Sequence, residues 1–158
     1  RFLPHDDPAV DRFIVRDADS RITAREVKSV EEWIQSGTIL HIMRDHPHHG
    51  EAIMGGMWGM KKVDGFNLTQ AIREYAKTSD LKRVMADMEF LKDAIYPHFK
   101  KSSYINASFH KFEAWATDFS IPWIDHHHVG EVFDEHNVRD WRYILLTPGV
   151  PSRVGTPR

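Results

Sequence analysis

The chain contains no cysteine among its 158 residues, so disulfides, zinc–thiolate sites and thiol catalysis are excluded. It has no excess of positive charge either. The 21 lysine and arginine residues are balanced by 23 acids and form no basic block, so nothing in the composition points to nucleic acid. No apolar run approaches the roughly 20 residues of a membrane-spanning helix, and we expect no membrane span.

Three common catalytic motifs are missing as well. The sequence has no G-x-x-x-x-G-K-[ST], no G-x-S-x-G and no H-E-x-x-H, which argues against a phosphate-loop NTPase, a serine hydrolase and a common metalloprotease. The composition, with 41% apolar and 28% charged residues, is that of an ordinary globular domain. We predict one α/β domain over residues 1–146 and a mobile, proline-containing tail over 147–158.

Short apolar runs alternate with amphipathic stretches over the first hundred residues. The pattern predicts strands at 12–17, 39–43, 53–60 and 104–107, and helices at 23–36, 67–77 and 80–96. The last of these helices has apolar residues along one face and is expected to end at Pro97. A final apolar piece covers 141–146. Strands that alternate with helices indicate an α/β sheet.

Two acids, Asp17 and Asp19, follow the first predicted strand with one residue between them. Carboxylates at this spacing can both reach one hard divalent cation. Acids also follow strands because aspartate favours turns and helix caps, and for an isolated triplet that explanation is the commoner one. Ligands of α/β sheets, however, collect at the carboxyl ends of strands, where Asp45 and His46 fall as well.

Two histidine-rich segments are candidates for metal binding or acid–base chemistry. In the first, residues 44–49, histidine and aspartate could hold zinc, although histidines in a proline loop are more often exposed. The second contains His126, His127 and His128. An extended chain would turn His126 and His128 to one face, and one of the three could complete a metal shell begun by the two acids. A solvated polar turn is the alternative.

Two further features suggest a site. Gly55 and Gly56 interrupt the predicted strand 53–60, and glycines there make better sense if another backbone or a ligand comes close. Asp87 lies beside the apolar face of the helix predicted over 80–96. It either points into a site or forms a surface salt bridge with Arg83.

The order of these segments resembles that of proteins with the GT-A glycosyltransferase fold and, more distantly, the glycogenin-type families. The segments are Arg-Asp-Ala-Asp-Ser-Arg, His-Ile-Met-Arg-Asp-His-Pro and Ile-Met-Gly-Gly-Met-Trp-Gly. In those families the D-x-D motif ends a strand of a Rossmann-like sheet. The resemblance therefore implies a GT-A-like mixed sheet flanked by helices. Only 16 residues precede Asp17, so we expect the fold to be incomplete at the N-terminus, without its nucleotide-binding part.

The resemblance also implies the site residues. Asp17 and Asp19 match the motif that binds Mn²⁺ or Mg²⁺ together with the sugar nucleotide's diphosphate. The late metal-binding histidine is matched by His127 or His128, and we assign His128. The donor-side positions are matched by Gly55, Gly56 and Asp87, although Met88 replaces the glutamine that usually follows the acid.

The function implied is that of a metal-dependent glycosyltransferase of the hexosyltransferase type. It would transfer a sugar from a UDP- or GDP-sugar to a hydroxyl of a carbohydrate or other acceptor. Asp45 and Asp87 are candidates for holding the donor sugar or acting as base, and Arg16 and Arg44 for contacting phosphate. Two alternatives remain. One is a metal-dependent hydrolase built on Asp17, Asp45, His46 and the late histidines, and the other is a non-catalytic α/β binding module.

Overall fold

The computed structural model describes residues 1–144, in which four strands form one mixed sheet. The strands are β1 (Arg12–Arg16), β2 (Leu40–Arg44), β3 (Met57–Lys61) and β4 (Ser103–Ala107), in the order β1-β3-β2-β4. β3 is antiparallel to both of its neighbours, and β2 is parallel to β4. β1, β2 and β4 therefore end at the same edge of the sheet, and β3 starts there.

The α-helices of the described residues are α1 (Ala24–Ser36), α2 (Leu68–Tyr75), α3 (Ala86–Phe90), α4 (Tyr96–Phe99) and α5 (Trp141–Ile144). Thr23 caps α1 by accepting the Glu26 N–H, and Gly37 ends it with φ at 71°. Asn67 caps α2 in the same way. The predicted starts of both helices are confirmed, because each depends only on a local hydrogen bond.

The predicted α/β class is confirmed, since helices flank a mixed sheet. The strand predicted over 53–60 is shorter than expected and begins only at Met57. Gly55 and Gly56 therefore lie in the turn before β3, at the edge where β1 and β2 end. None of the helices in residues 1–144 is long and apolar enough to cross a membrane.

The helix predicted over 80–96 is wrong in its first part. α3 begins only at Ala86, after Met85 takes a left-handed backbone conformation with φ at 69°. Leu81 and Val84, which the prediction put on the buried face, are 45% and 89% exposed. Apolar spacing alone suggested a buried stripe, but nothing packs on these two side chains strongly enough to extend the helix.

We expected the helix to end at Pro97. Instead the helical segment continues, and Pro97 lies in the first turn of α4. A proline costs no hydrogen bond there, because the first N–H groups of a helix have no partner within it. A π-helical turn, Leu91–Ile95, connects α3 to α4. The last apolar piece forms α5 as far as Ile144, and the remainder of that piece and the predicted tail lie outside the described residues.

His41 is a buried titratable ring in the middle of β2. Its side chain is fully buried and stacks on Trp33 with ring centroids 5.2 Å apart. His41 Nε2 lies 3.1 Å from Ser29 Oγ and 3.3 Å from Asn106 Oδ1. Burial lowers the pKa of His41 to about 3, so the ring is neutral in the folded protein.

We expect acid to destabilise the fold through His41. The unfolded chain binds this proton near pH 6.5 and the folded chain only near pH 3, so the stability is complete above pH 6.5 and is lost as the pH falls. Between pH 6 and 5 the His41→Gln variant should lose about 1.4 kcal/mol less stability than the parent. Urea unfolding followed by tryptophan fluorescence measures this. The exposed His136→Gln should retain the parental slope, and an unchanged slope in His41→Gln would contradict the assignment.

Candidate functional site

A cavity of about 450 Å³ opens at the sheet edge where β1 and β2 end. Five of the nine residues predicted from the sequence line it, namely Asp17, Gly55, Gly56, Asp87 and His128. They come from the end of β1, the turn before β3, the first turn of α3 and a late loop. Segments that are far apart in the sequence are thus brought to one concave surface, which is where binding sites usually lie.

Arg1 connects the two acids of the cavity. Its Nη1 donates to Asp87 Oδ2 at 2.8 Å and to the Gly55 carbonyl at 3.0 Å, and its Nη2 lies 3.4 Å from Asp17 Oδ1. The side chains of Asp17 and Asp87 are 52% and 33% exposed. The position between the carboxylates therefore suits a positive charge. Sequence analysis missed Arg1, because no local pattern marks a contact across 54 or more residues.

Gly55 and Gly56 let these acids approach the backbone. A Cβ on Gly56 would overlap the Asp17 carboxylate, and one on Gly55 would lie 2.8 Å from Asp87 Oδ2. A side chain at either position would push the neighbouring carboxylate away. The close approach expected at these glycines is therefore made by two carboxylates of the chain itself.

A second part of the cavity wall is formed by His46, His49 and His128, which we call the three-histidine cluster. One nitrogen from each ring lies within 4.8 Å of the other two, and all three side chains are buried. The ring centroids of His46 and His128 are 4.5 Å apart. Desolvation lowers the pKa of all three rings, to about 2 for His49 and about 3 for His128. Neutral imidazoles of this kind can bind a metal ion.

Hydrogen bonds orient two rings of this cluster. The Nδ1 atoms of His46 and His49 accept the backbone N–H groups of His48 and Asp45, each at 3.1 Å. His46 Nε2 lies 3.0 Å from the carbonyl oxygen of Tyr143. His128 Nδ1 is buried and has no hydrogen-bond partner. The cluster thus contains one unsatisfied polar atom.

The late loop is a turn and not the extended segment assumed for its histidines. Asp125 and His126 have positive φ values of 51° and 60°, so strict alternation of side chains does not apply. His127 leaves the cavity and lies 2.5 Å from the Glu131 carboxylate. Of these three histidines, His128 alone lines the cavity.

Asp45, a predicted catalytic acid, is fully buried and does not line the cavity. Arg25 donates to both of its oxygens at 2.7 Å, and the Val129 N–H donates to Oδ2 at 2.9 Å. Ser108 and Trp123 donate to Oδ1. The carboxylate has no free position for a substrate, and its role is to attach the late loop to the end of β2.

Arg16 and Arg44, predicted to contact phosphate, do not line the cavity either. Arg44 is fully buried and donates to both oxygens of Glu113 at 2.8 Å. Arg16 is paired with Glu26. Each guanidinium forms an ion pair with a carboxylate inside the fold. The position of an arginine at the end of a strand does not reveal such a partner in the sequence.

Asp19 is exposed and lies outside the cavity, and its carbonyl oxygen accepts the Phe133 N–H at 2.9 Å. Within residues 1–144, the three-histidine cluster is the only group of three or more histidine or acidic side chains close enough to share an ion. The side chains of Asp17, Asp19 and His128, which were predicted to bind one metal ion, do not form such a group.

Comparison of the sequence with protein-family models and with curated proteins, and of the structure with solved structures, finds no match.

Removing the charge of Asp45 should strongly destabilise the protein. Asp45→Asn leaves Arg25 buried without a counter-charge, and we expect a loss of about 3–5 kcal/mol in urea unfolding. Asp118→Asn is the matched control, because Asp118 pairs with Lys111 on the surface and is 78% exposed. That control should lose less than about 1 kcal/mol. Equal losses in the two variants would rule out a structural role for the Asp45 network.

Proposed function

We propose that this chain carries the metal- and donor-binding part of a glycosyltransferase that transfers a sugar from a nucleotide-diphosphate sugar to an acceptor hydroxyl. One observation supports this above the others. Asp17, Gly55, Gly56, Asp87 and His128 line the same cavity. They come from four segments that were selected from the sequence by their match to the glycosyltransferases, and the fold brings these four segments to one concave surface.

The strand arrangement is consistent with the proposal. Asp17 directly follows β1, and Gly55 and Gly56 precede β3, which pairs with β1. In the glycosyltransferases that the sequence resembles, a D-x-D motif ends a strand and a glycine-containing strand lies against the donor sugar. The same two features are neighbours here, which supports a GT-A-like organisation.

The carboxylates fit a hard cation. Asp17 offers at the cavity wall an exposed oxygen ligand of the kind that Mn²⁺ and Mg²⁺ prefer, whereas Asp19 is exposed outside the cavity. Arg1 lies between Asp17 and Asp87, which is an independent sign that this position accepts positive charge. A divalent cation held at Asp17 would neutralise the charge that develops on the leaving diphosphate.

The other cavity residues would bind and orient the donor. Arg1 is 39% exposed, so its guanidinium can exchange carboxylate oxygens for phosphate oxygens at small cost. Asp87 would then be free to accept hydrogen bonds from sugar hydroxyls or to act as base. Gly55 and Gly56 leave room for the two carboxylates that would contact the metal and the donor. Asp45 takes no part in this chemistry, because its oxygens are engaged inside the fold.

A metal-dependent hydrolase is the second candidate, and one observation favours it. His46 and His128, which that alternative used, are neighbours in the three-histidine cluster. Asp45 was a candidate in both proposals, and since buried donors occupy both of its oxygens it supports neither. The transferase uses five of the cavity residues, and the hydrolase uses Asp17, His46 and His128.

The transferase predicts that metal and nucleotide bind together. Mn²⁺ with UDP or GDP should raise the thermal unfolding midpoint more than either alone, and Asp17→Ala should abolish this increase because it removes the carboxylate of the D-x-D pair that lines the cavity. Asp118→Ala removes a surface carboxylate outside the cavity and should retain it. Differential scanning fluorimetry over a panel of nucleoside diphosphates measures the effect. A response to Zn²⁺ without any nucleotide effect would favour the hydrolase, and no response to any ion would favour a binding module.

Gly56→Ala should weaken Mn²⁺ binding without unfolding the protein. The new Cβ displaces the Asp17 carboxylate, which is half-exposed and can move at little cost to stability. We expect the affinity for Mn²⁺, measured by electron paramagnetic resonance of the free ion, to fall by at least about tenfold. Gly50→Ala is the control, since a Cβ there lies 3.7 Å from His110 in ordinary contact. Parental affinity in Gly56→Ala would contradict a metal role for Asp17.

A further inference from the structure

The proposed sugar transfer makes no use of His46 and His49, although both line the cavity. We propose that His46, His49 and His128 form a binding site for a transition-metal ion of the zinc type, which assigns His128 to this ion and leaves the Mn²⁺ or Mg²⁺ site to carboxylates. This inference does not rest on the proposed transferase activity. It rests on the geometry, the burial and the ligand type of the three rings.

The geometry of the cluster is close to that of a zinc site. A tetrahedral zinc with bonds of about 2.0–2.1 Å to nitrogen holds its ligand nitrogens about 3.4 Å apart. The three ring nitrogens all lie within 4.8 Å of one another before any ion binds. Movements of about 1 Å in the side chains would bring the nitrogens from this separation to that of a zinc site. All three residues lie in loops, which can accommodate such movements.

The chemistry of the ligands selects the ion. The group contains three imidazoles and no carboxylate. Imidazole favours Zn²⁺, Co²⁺, Ni²⁺ and Cu²⁺, whereas Mg²⁺ and Mn²⁺ prefer oxygen ligands. The two parts of the cavity wall are therefore suited to different ions.

An unsatisfied atom is the second, independent indication. His128 is 2% exposed, and its Nδ1 has no hydrogen-bond partner. Buried polar atoms are nearly always paired, and an exception calls for an explanation such as a missing ion. A metal ion bound through Nδ1 would satisfy this atom.

Ion binding has to compete with hydrogen bonds that the free cluster makes. His46 and His49 accept backbone N–H groups at Nδ1, and His46 Nε2 contacts the Tyr143 carbonyl. Binding must therefore rotate these rings or release a ring proton. Coordination of zinc by several imidazoles is much stronger than such hydrogen bonds, so the exchange favours the ion.

Three protein ligands leave the fourth position of a tetrahedral ion open. The rings line the cavity, so this position faces the space into which a ligand would enter. Three protein ligands with one open position are typical of catalytic and substrate-binding zinc sites, whereas structural sites are closed by four. The ion would therefore be accessible to a water molecule or to an oxygen of a bound ligand.

Titration of the metal-free protein with Zn²⁺ alone tests the proposal. We expect one equivalent to bind, and Co²⁺ at the same site to give the visible absorption of a nitrogen-ligated, low-coordinate ion. His49→Gln should lower the Zn²⁺ affinity by at least about tenfold. His126→Gln, a histidine beside the cluster but outside it, should remain within about twofold. No zinc binding by the parent, or equal affinities in the two variants, would overturn the proposal.

Two further measurements keep the result unambiguous. Imidazole ¹⁵N spectra of the parent protein need no substitution, and only the resonances of His46, His49 and His128 should shift with the first equivalent of Zn²⁺. Shifts confined to other histidines would overturn the site even if His49→Gln failed to fold. Asp17→Ala should bind Zn²⁺ normally while losing the Mn²⁺ response, and His49→Gln should do the reverse. Failure of the zinc site is thereby distinguished from failure of the transferase.

Discussion

The buried ion pair between Arg25 and Asp45 is the interaction on which the cavity depends. Arg25 belongs to α1, Asp45 follows β2, and the Asp45 carboxylate also accepts the Val129 N–H of the late loop. Two charges removed from water are tolerated only when their hydrogen bonds are complete. The three segments therefore cannot separate without leaving a buried charge unpaired. This requirement holds His128, which precedes Val129, next to His46.

Consecutive residues at the end of β2 have different roles, because two form buried ion pairs and the next lines the cavity. Arg44 is committed to Glu113 and Asp45 to Arg25, both within the interior. The next residue, His46, is the first to reach the cavity. The charged side chains at the end of β2 are thus paired in the interior, and the residues that line the cavity follow them in the sequence. The residues left for binding are uncharged imidazoles on one side and half-exposed carboxylates on the other.

Local patterns in the sequence were sufficient to predict most helices and strands, but not which distant residues contact one another. The caps of α1 and α2 and the strands β1, β2 and β4 depend on neighbouring residues, and they were predicted within a residue or two. The pairing of Arg44 with Glu113 across 69 residues, or the contact of His46 with His128, follows only from the assembled sheet. The cavity residues Asp17, Gly56 and Asp87 were found because their chemistry forms a recognisable order along the chain. Arg1 belongs to none of these segments, so the sequence did not mark it as a cavity residue.

The charges around the cavity bear on the proposed function. Asp17 and Asp87 contribute two negative charges to the lining, and Arg1 contributes one positive charge. A free diphosphate, itself an anion, would be repelled by the two carboxylates. The same diphosphate complexed to a divalent cation carries less negative charge and would meet a smaller barrier. In the proposed transferase this arrangement would favour entry of the cation with the phosphate or ahead of it, and release of the nucleotide as its metal complex.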